Sequence, residues 1–150
     1  MNDKADPRCV FCEIVAGKTP AHRIYEDELS LGILDINPFT EGHCLVIPKR
    51  HCPWWYNLTE EETGSLFRVA RIIAQKLMQA FEPDFVCLYA RGRRIPHTHI
   101  FLIPTTSGDL LDRFFNSVEK LQESSEELSA LRERATLEAV AAKLKDTEVA

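Results

Sequence analysis

Residues that could bind a metal or act as nucleophiles are concentrated in a few short segments of this 150-residue chain. Cys9 and Cys12 have the two-residue spacing of one half of a zinc site, a spacing also found in thiol redox motifs. The run RIPHTHIFLIP at 94–104 contains His97 and His99 two residues apart. The remaining candidate metal ligands are His43, Cys44, His51 and Cys52. Metal binding, redox chemistry and catalysis by an imidazole are therefore the three chemistries to compare.

The position of Cys9 and Cys12 favours a metal site over a redox site. A thioredoxin-type motif normally follows a strand, and the residues before Cys9 are too few to supply one. In a strand, His97 and His99 would lie on one face about 6.6 Å apart, which is too far for both to bind one tetrahedral ion. We expect one histidine to bind metal and the other to remain free beside it. The alternative is a pair of surface histidines with no function.

The elements that would position these residues follow from hydrophobic periodicity and from turn signals. CVFCEIVAGKTP predicts a short helix ended by Gly17, and HRIYEDELSLGILDINP predicts a β-hairpin. Thr59 and Glu62 form a capping box that begins a long amphipathic helix, which Pro83 ends. Further strands are predicted at 43–49, 85–90 and 98–104.

After residue 105 the pattern becomes helical. Leu111, Phe114, Phe115 and Val118 recur at helical spacing, and Ser124 with Glu127 suggests a capping box for a helix that extends to about Lys145.

This order of elements predicts an α+β fold with a mostly antiparallel sheet of about five strands and one long helix. We expect residues 1–105 to form one domain and residues 106–150 to form a helical C-terminal extension packed on it.

Composition excludes several classes of function. Hydrophobic residues make up 45% of the chain, charged residues 27%, and the net charge is −5, so a broad nucleic-acid surface is not expected. No apolar run is long enough to span a membrane, and the N-terminal sequence MNDKADPR is not typical of a signal peptide. We therefore expect a cytoplasmic protein whose five cysteines are thiols or metal ligands.

Three segments, CVFCEIV, ILDINPFTEGHCLVIPKRH and PHTHIFLIP, resemble the motifs of the histidine triad (HIT) family of nucleotide hydrolases and transferases. The resemblance extends over about residues 9–104 and is closest to the zinc-bearing branch of the family. It implies an antiparallel sheet with one helix, a homodimer and a site for a nucleoside monophosphate. It also implies that Cys9, Cys12, His51 and His97 hold a structural zinc ion.

The resemblance further implies how substrate is bound and cleaved. His99 corresponds to the family's nucleophile, which attacks the α-phosphorus of a purine ribonucleotide derivative and forms a nucleotidyl-histidine. Asp35 corresponds to the carboxylate that binds the ribose hydroxyls. The residues that correspond to the apolar base pocket are Val10, Phe11, Ile33 and Ile36.

The sequence departs from the family pattern at three points. Phe101 stands where the third histidine of the triad is expected. Arg93 replaces a glutamine that would contact phosphate, and its guanidinium could bind phosphate as a charged donor. The asparagine expected upstream of this loop is absent from FVCLYARG.

Three functions are consistent with these features. The leading hypothesis is a nucleotidyl hydrolase or transferase that acts through His99. The second is a zinc-stabilised nucleotide sensor with impaired catalysis. The third is a zinc-finger-like nucleic-acid module, which the near-neutral body and the long separation between Cys12 and His51 disfavour.

Overall fold

The structure is a computed structural model that describes residues 8–149. The chain forms two compact units, the first ending at Asp109 and the second beginning at Leu110. The predicted packing of a helical extension on the first unit stays a prediction.

The first unit is built on a five-stranded antiparallel sheet with the strand order β1-β2-β3-β5-β4. The strands are β1 (Arg23–Glu26), β2 (Ser30–Leu34), β3 (Cys44–Pro48), β4 (Phe85–Tyr89) and β5 (Ile100–Thr105). The helices are α1 (Val10–Val15), a 3-10 turn (Trp55–Asn57) and α2 (Glu60–Phe81). This architecture confirms the predicted α+β class.

Both faces of the sheet are covered. Alternate residues of β3 point to opposite faces, so Val46 belongs to the core beneath α2 while Leu45 and Ile47 belong to the core beneath α1. Strand pairing aligns Ile33 with Leu45 and Leu45 with Phe101 across three neighbouring strands. Phe101 therefore lies in the row of side chains that faces α1, together with the N-terminal cysteines.

The long helix α2 is fixed at its start and along its length. Thr59 and Glu62 form the predicted capping box, in which each side chain bonds the other residue's backbone N–H. Along the helix, a Cβ at Gly32 would lie 2.0 Å from Cδ1 of Ile73. The absence of a side chain at Gly32 is what lets α2 approach β2 so closely.

Strand β5 begins two residues later than predicted, so the expectation that His97 and His99 lie within a strand is wrong. The N–H of Thr98 donates to the carbonyl of Cys52 at 2.7 Å instead of pairing in the β-ladder. The two histidines occupy the segment that leads into Ile100.

The second unit contains α3 (Leu110–Ser124), a 3-10 helix (Glu126–Arg132) and α4 (Arg134–Lys145). The predicted capping box of Ser124 and Glu127 is wrong, because Ser124 ends α3 and its hydroxyl donates to the carbonyl of Lys120 at 2.7 Å. Within residues 8–149, none of the helices combines the length and the apolar character needed to cross a membrane.

Candidate functional site

The four predicted zinc ligands converge at one point beside the sheet. Their ligand atoms, one each from Cys9, Cys12, His51 and His97, all lie within 4.8 Å of one another. Nδ1 of His97 is 3.4 Å from Sγ of Cys9 and 3.6 Å from Sγ of Cys12, and Nδ1 of His51 is 3.3 Å from Sγ of Cys12. Residues up to 88 positions apart in sequence form this cluster.

The spacing of these atoms fits a tetrahedral zinc ion. An ion bound about 2.3 Å from sulfur and about 2.0–2.1 Å from nitrogen places the two ligand atoms about 3.6 Å apart. The measured sulfur–nitrogen distances are 3.3–3.6 Å. Two thiolates and two imidazoles also match the donor set of a closed structural zinc site, which leaves no position for substrate.

Hydrogen bonds fix the orientation of the cluster's histidines. Nε2 of His97 is 2.9 Å from the carbonyl oxygen of Pro48, so this nitrogen carries the proton and Nδ1 presents its lone pair to the cysteines. Burial lowers the pKa of His97 to about 4, partly opposed by the Pro48 bond, so its imidazole is neutral at physiological pH. Arg50, the residue before His51, donates two hydrogen bonds to the carboxylate of Glu62 in the capping box. These bonds attach the segment that contains His51 to the start of α2.

The other cysteines that the sequence offered as ligands are engaged elsewhere. Sγ of Cys52 donates to the carbonyl of Trp54 at 3.2 Å. Cys44 lies in the core beneath α2, and burial raises the pKa of its thiol to about 11. A thiol that resists ionisation is a poor metal ligand.

His99 has the orientation required of a nucleophile. Its Nδ1 is 2.7 Å from the carbonyl oxygen of His97, so Nδ1 must donate and Nε2 keeps its lone pair. The ring is 7% exposed, and its centroid is 5.3 Å from that of Phe11. The backbone of His97 thus sets the tautomer of His99.

Phe101 fills the third triad position with an apolar ring. Its centroid lies 4.7 Å from that of Tyr89, 5.1 Å from that of His99 and 5.5 Å from that of His43. A phenyl ring in this packed position can neither donate a hydrogen bond nor carry a proton.

Asp35 lies beside a buried histidine that the sequence analysis did not connect with it. The N–H of Phe39 donates to Nδ1 of His43 at 3.2 Å, which leaves the proton on Nε2, 3.5 Å from Oδ2 of Asp35. Burial lowers the pKa of His43 and the charge of Asp35 raises it. The other Asp35 oxygen accepts the N–H of Asn37 at 2.7 Å. Asp35 follows β2 and His43 precedes β3, so the pairing of these two strands brings the two residues together.

The residues predicted to form the base pocket fall into two groups. Phe11 and Ile33 are buried in the core beneath α1, whereas Val10 is 37% exposed and Ile36 is 88% exposed. The ring of Phe11 contacts the ring of His99, so the buried residues of the predicted base pocket lie beside the proposed nucleophile.

A cavity of about 170 Å³ borders His99 on the side of the arginine-rich loop. Its wall includes Arg91 and Gly92, whereas the predicted phosphate ligand Arg93 is exposed and is not among the lining residues. The remaining lining residues are Pro53, Trp54, Trp55, Tyr56, Ala90 and Thr98. Sequence reasoning missed this aromatic wall, although three successive aromatic residues, Trp54, Trp55 and Tyr56, follow the predicted zinc ligand His51 closely in the sequence.

Comparison with known proteins identifies the class. The HIT domain profile matches residues 16–108, and this chain belongs to the HIT domain family. The chain is 36% identical over 108 residues to the adenylylsulfatase HINT3 of Arabidopsis thaliana, a match that covers 69% of this chain but only 55% of the plant protein.

Solved structures agree with this assignment. A HIT family protein from Bacillus subtilis superposes with a TM-score of 0.78 at 26% identity, covering 95% of this chain and 99% of that one. A zinc-bound histidine triad family protein from Mycobacterium smegmatis gives a TM-score of 0.64 at 32% identity, covering 79% and 98% of the two chains.

Proposed function

We propose that this protein is a nucleotidyl hydrolase or transferase that acts at the α-phosphate of a purine ribonucleotide derivative through His99. The observation that carries the proposal is the hydrogen bond from His99 Nδ1 to the His97 carbonyl, which leaves the lone pair of the neutral imidazole on Nε2. The name of the plant relative, an adenylylsulfatase, supports a reaction at an adenylyl group. Release of AMP from adenosine 5′-phosphoramidate or a related activated nucleotide tests it.

The proposed reaction has two steps. Nε2 of His99 attacks the α-phosphorus, a P–N bond forms, and the leaving group departs with the electron pair of the bond that breaks. Water or another acceptor then attacks the same phosphorus, its proton is lost, and His99 is regenerated as the nucleotide leaves. Nδ1–H remains on the His97 carbonyl throughout, and this bond stabilises the positive charge that the imidazole develops during attack.

Zinc has a structural role in this proposal. Cys9, Cys12, His51 and His97 would hold the ion, which would supply a cross-link between the N-terminal helix and the segment before β5. His97 would then serve two purposes, as a ligand through Nδ1 and as the backbone acceptor for His99. The zinc-bound structural relative supports this assignment.

The second candidate function is a nucleotide sensor that binds without efficient turnover. Phe101 favours this candidate because the third triad position cannot take part in proton transfer. For either function we propose a cytoplasmic protein that acts as a homodimer, as the family resemblance implies. The molar mass of the purified protein in light-scattering chromatography tests the homodimer.

Binding is expected to favour AMP over 2′-deoxy-AMP by about tenfold or more. Asp35, which accepts the N–H of Asn37 and lies beside His43, is proposed to accept hydrogen bonds from the ribose hydroxyls, and a bond to a charged partner contributes about 1.5–3 kcal/mol. Calorimetric titration of both nucleotides measures the ratio, and Asp35→Asn should reduce it. Equal affinities for the two sugars in the wild type would contradict the role of Asp35.

The Phe101→His variant is expected to release AMP from a phosphoramidate about ten to a hundred times faster than the wild type. A histidine at this position could give a proton to the leaving amine. A well-positioned general acid contributes about 10²–10⁴-fold, and a newly introduced histidine should recover only part of that. Phe101→Leu is the matched control, since it changes packing without adding a proton donor. An unchanged rate in a folded Phe101→His protein would show that position 101 does not limit turnover.

A further inference from the structure

Helix α3 of the second unit carries an exposed apolar stripe along one face. The residues of the stripe are Leu110, Phe114, Val118 and Leu121, and each is 44–65% exposed. At about 100° and 1.5 Å per residue, they fall within an arc of about 80° and extend over about 17 Å of helix. A continuous exposed apolar face of this kind marks a surface that another element covers.

The second unit has almost no core of its own. Among its described residues, 110–149, Leu111 alone is buried. Helix α4 adds a second exposed stripe, formed by Leu137, Val140 and Leu144. Helices of 15 and 12 residues are marginal in water without tertiary packing, and a unit of about 40 residues rarely stabilises itself alone. The second unit therefore needs a partner surface to be stable.

The rim of the α3 stripe is uncharged, and its hydroxyls are already hydrogen-bonded. Ser117 and Ser124 border the stripe on one side, and Gln122 borders it on the other. The hydroxyl of Ser117 donates to the carbonyl of Arg113 at 2.8 Å, and that of Ser124 donates to the carbonyl of Lys120 at 2.7 Å. A partner that covered the stripe would therefore leave neither hydroxyl unpaired.

The distribution of charge favours a second copy of this chain as the partner. Residues 110–150 include nine acidic and six basic side chains, so two such units would repel each other through a charged surface. The charged residues of α3 lie about 100° or more from the centre of the stripe, and the acidic ones are on the opposite face, which avoids this repulsion. A different protein would be selected by charges beside the apolar face, and an anionic membrane by basic ones. The rim of the stripe has neither.

We propose that the second units of two copies of this chain pack together through the stripes of α3 and α4, with the two α3 stripes facing each other across a two-fold axis. The seven stripe residues, each about half exposed, present on the order of 800 Å² per copy, which is about the area that each partner gives to a stable interface. This surface lies outside residues 16–108, the part of the chain that matches the HIT domain. The inference does not depend on catalysis by His99.

Cross-linking of the full-length protein tests the contact at α3 itself, whatever holds the first units together. Ser117→Cys places a thiol beside the middle of the stripe, and Glu119→Cys places one on the opposite face. Mild oxidation should give at least about fivefold more covalent dimer from Ser117→Cys, because a disulfide needs Cα atoms within about 7 Å of each other. The unsubstituted protein, with its own five cysteines, gives the background. Equal yields from the two variants would overturn the proposal.

Charge substitutions measure how much the stripe contributes to association. A double variant, Val118→Glu with Leu121→Glu, should lower the association constant at least about 100-fold, because each copy would have to bury two carboxylates. The matched control, Asn116→Glu with Lys120→Gln, changes the charge by the same amount away from the stripe and should stay within about threefold of the wild type. Sedimentation over a series of protein concentrations measures the three constants.

The other possible occupants of the stripe give different results. If the chain's own first unit covered it, Ser117→Cys would give no excess of cross-linked dimer, and the stripe variant would lose thermal stability without a change in its association constant. If another protein or a lipid surface covered it, the isolated protein would show neither the cross-link nor a change in association. Either result would overturn the proposal. Should the stripe variant fail to fold, the yields of the two cysteine variants still decide it.

Discussion

The His99→Ala variant is expected to lose nucleotidyl transfer by at least about 10⁴-fold while retaining its zinc and its fold. Removal of the nucleophile in other covalent enzymes has effects of this size. His99 is not one of the four residues of the Cys/His cluster, and it contributes one backbone hydrogen bond and ring contacts to Phe11 and Phe101. Its truncation should therefore lower stability only modestly. Initial rates of AMP release, metal analysis and thermal unfolding measure the three quantities.

Mass spectrometry of the intermediate provides the sharper form of this test. After rapid mixing with an activated nucleotide and acid-free quenching, the wild type should carry a nucleotidyl group on the peptide that contains His99. The adduct should map to His99 rather than His97, whose two nitrogens face the cysteines and the Pro48 carbonyl. A wild-type protein that binds nucleotide tightly but never forms an adduct, even as Phe101→His, would favour the sensor function.

Loss of zinc is expected to have the second largest effect, on stability. Purified protein kept reduced should contain about one zinc ion per chain, and His51→Ala should lower that content. The variant should also lose about 4–5 kcal/mol or more of its free energy of unfolding, because the buried donors would lose the ion that neutralises and cross-links them. Denaturant unfolding of the zinc-loaded wild type, the chelated wild type and the variant measures this loss.

Cys52→Ser is the matched control for the metal site. Cys52 adjoins His51 in sequence, but its Sγ donates to the Trp54 carbonyl, a bond that a serine hydroxyl can replace. Zinc content should stay at one ion per chain in this variant. Reduced, chelator-free wild-type protein without zinc would refute the site, and loss of zinc from Cys52→Ser alone would show that the ligand set was assigned wrongly.

Local sequence signals predicted the elements whose causes are local. The capping box of Thr59 and Glu62 marks the start of α2 because its hydrogen bonds join residues three apart. The hairpin turn forms where expected because the Asp27 carboxylate accepts the N–H groups of Leu29 and Ser30. The same reasoning failed at Ser124, which is the last residue of α3. Its hydroxyl donates to the carbonyl of Lys120 within that helix and does not cap a following one.

The site could be predicted only as far as residue type and spacing specify it. Cysteine spacing and the family motifs named the residues that converge at the metal cluster, but not the bonds that orient them. One bond joins the His97 ring to the carbonyl of Pro48, and another joins the His99 ring to the carbonyl of His97. Both depend on how the segment before β5 packs against the end of β3. Hydrophobic periodicity does not predict this packing, because the N–H of Thr98 donates to the carbonyl of Cys52 and takes no part in the β-ladder.

The sequence by itself determined the α+β class, the long capped helix and the identity of the chemically competent residues, because each depends on neighbouring residues or on a motif. The tertiary structure alone decided that His43 lies beside Asp35. It also decided that the cavity beside His99 is lined by Arg91 rather than Arg93, and that the aromatic residues after His51 form the wall of that cavity. These contacts join distant segments, and they arise from strand register and from the packing of α1 and α2 on opposite faces of one sheet.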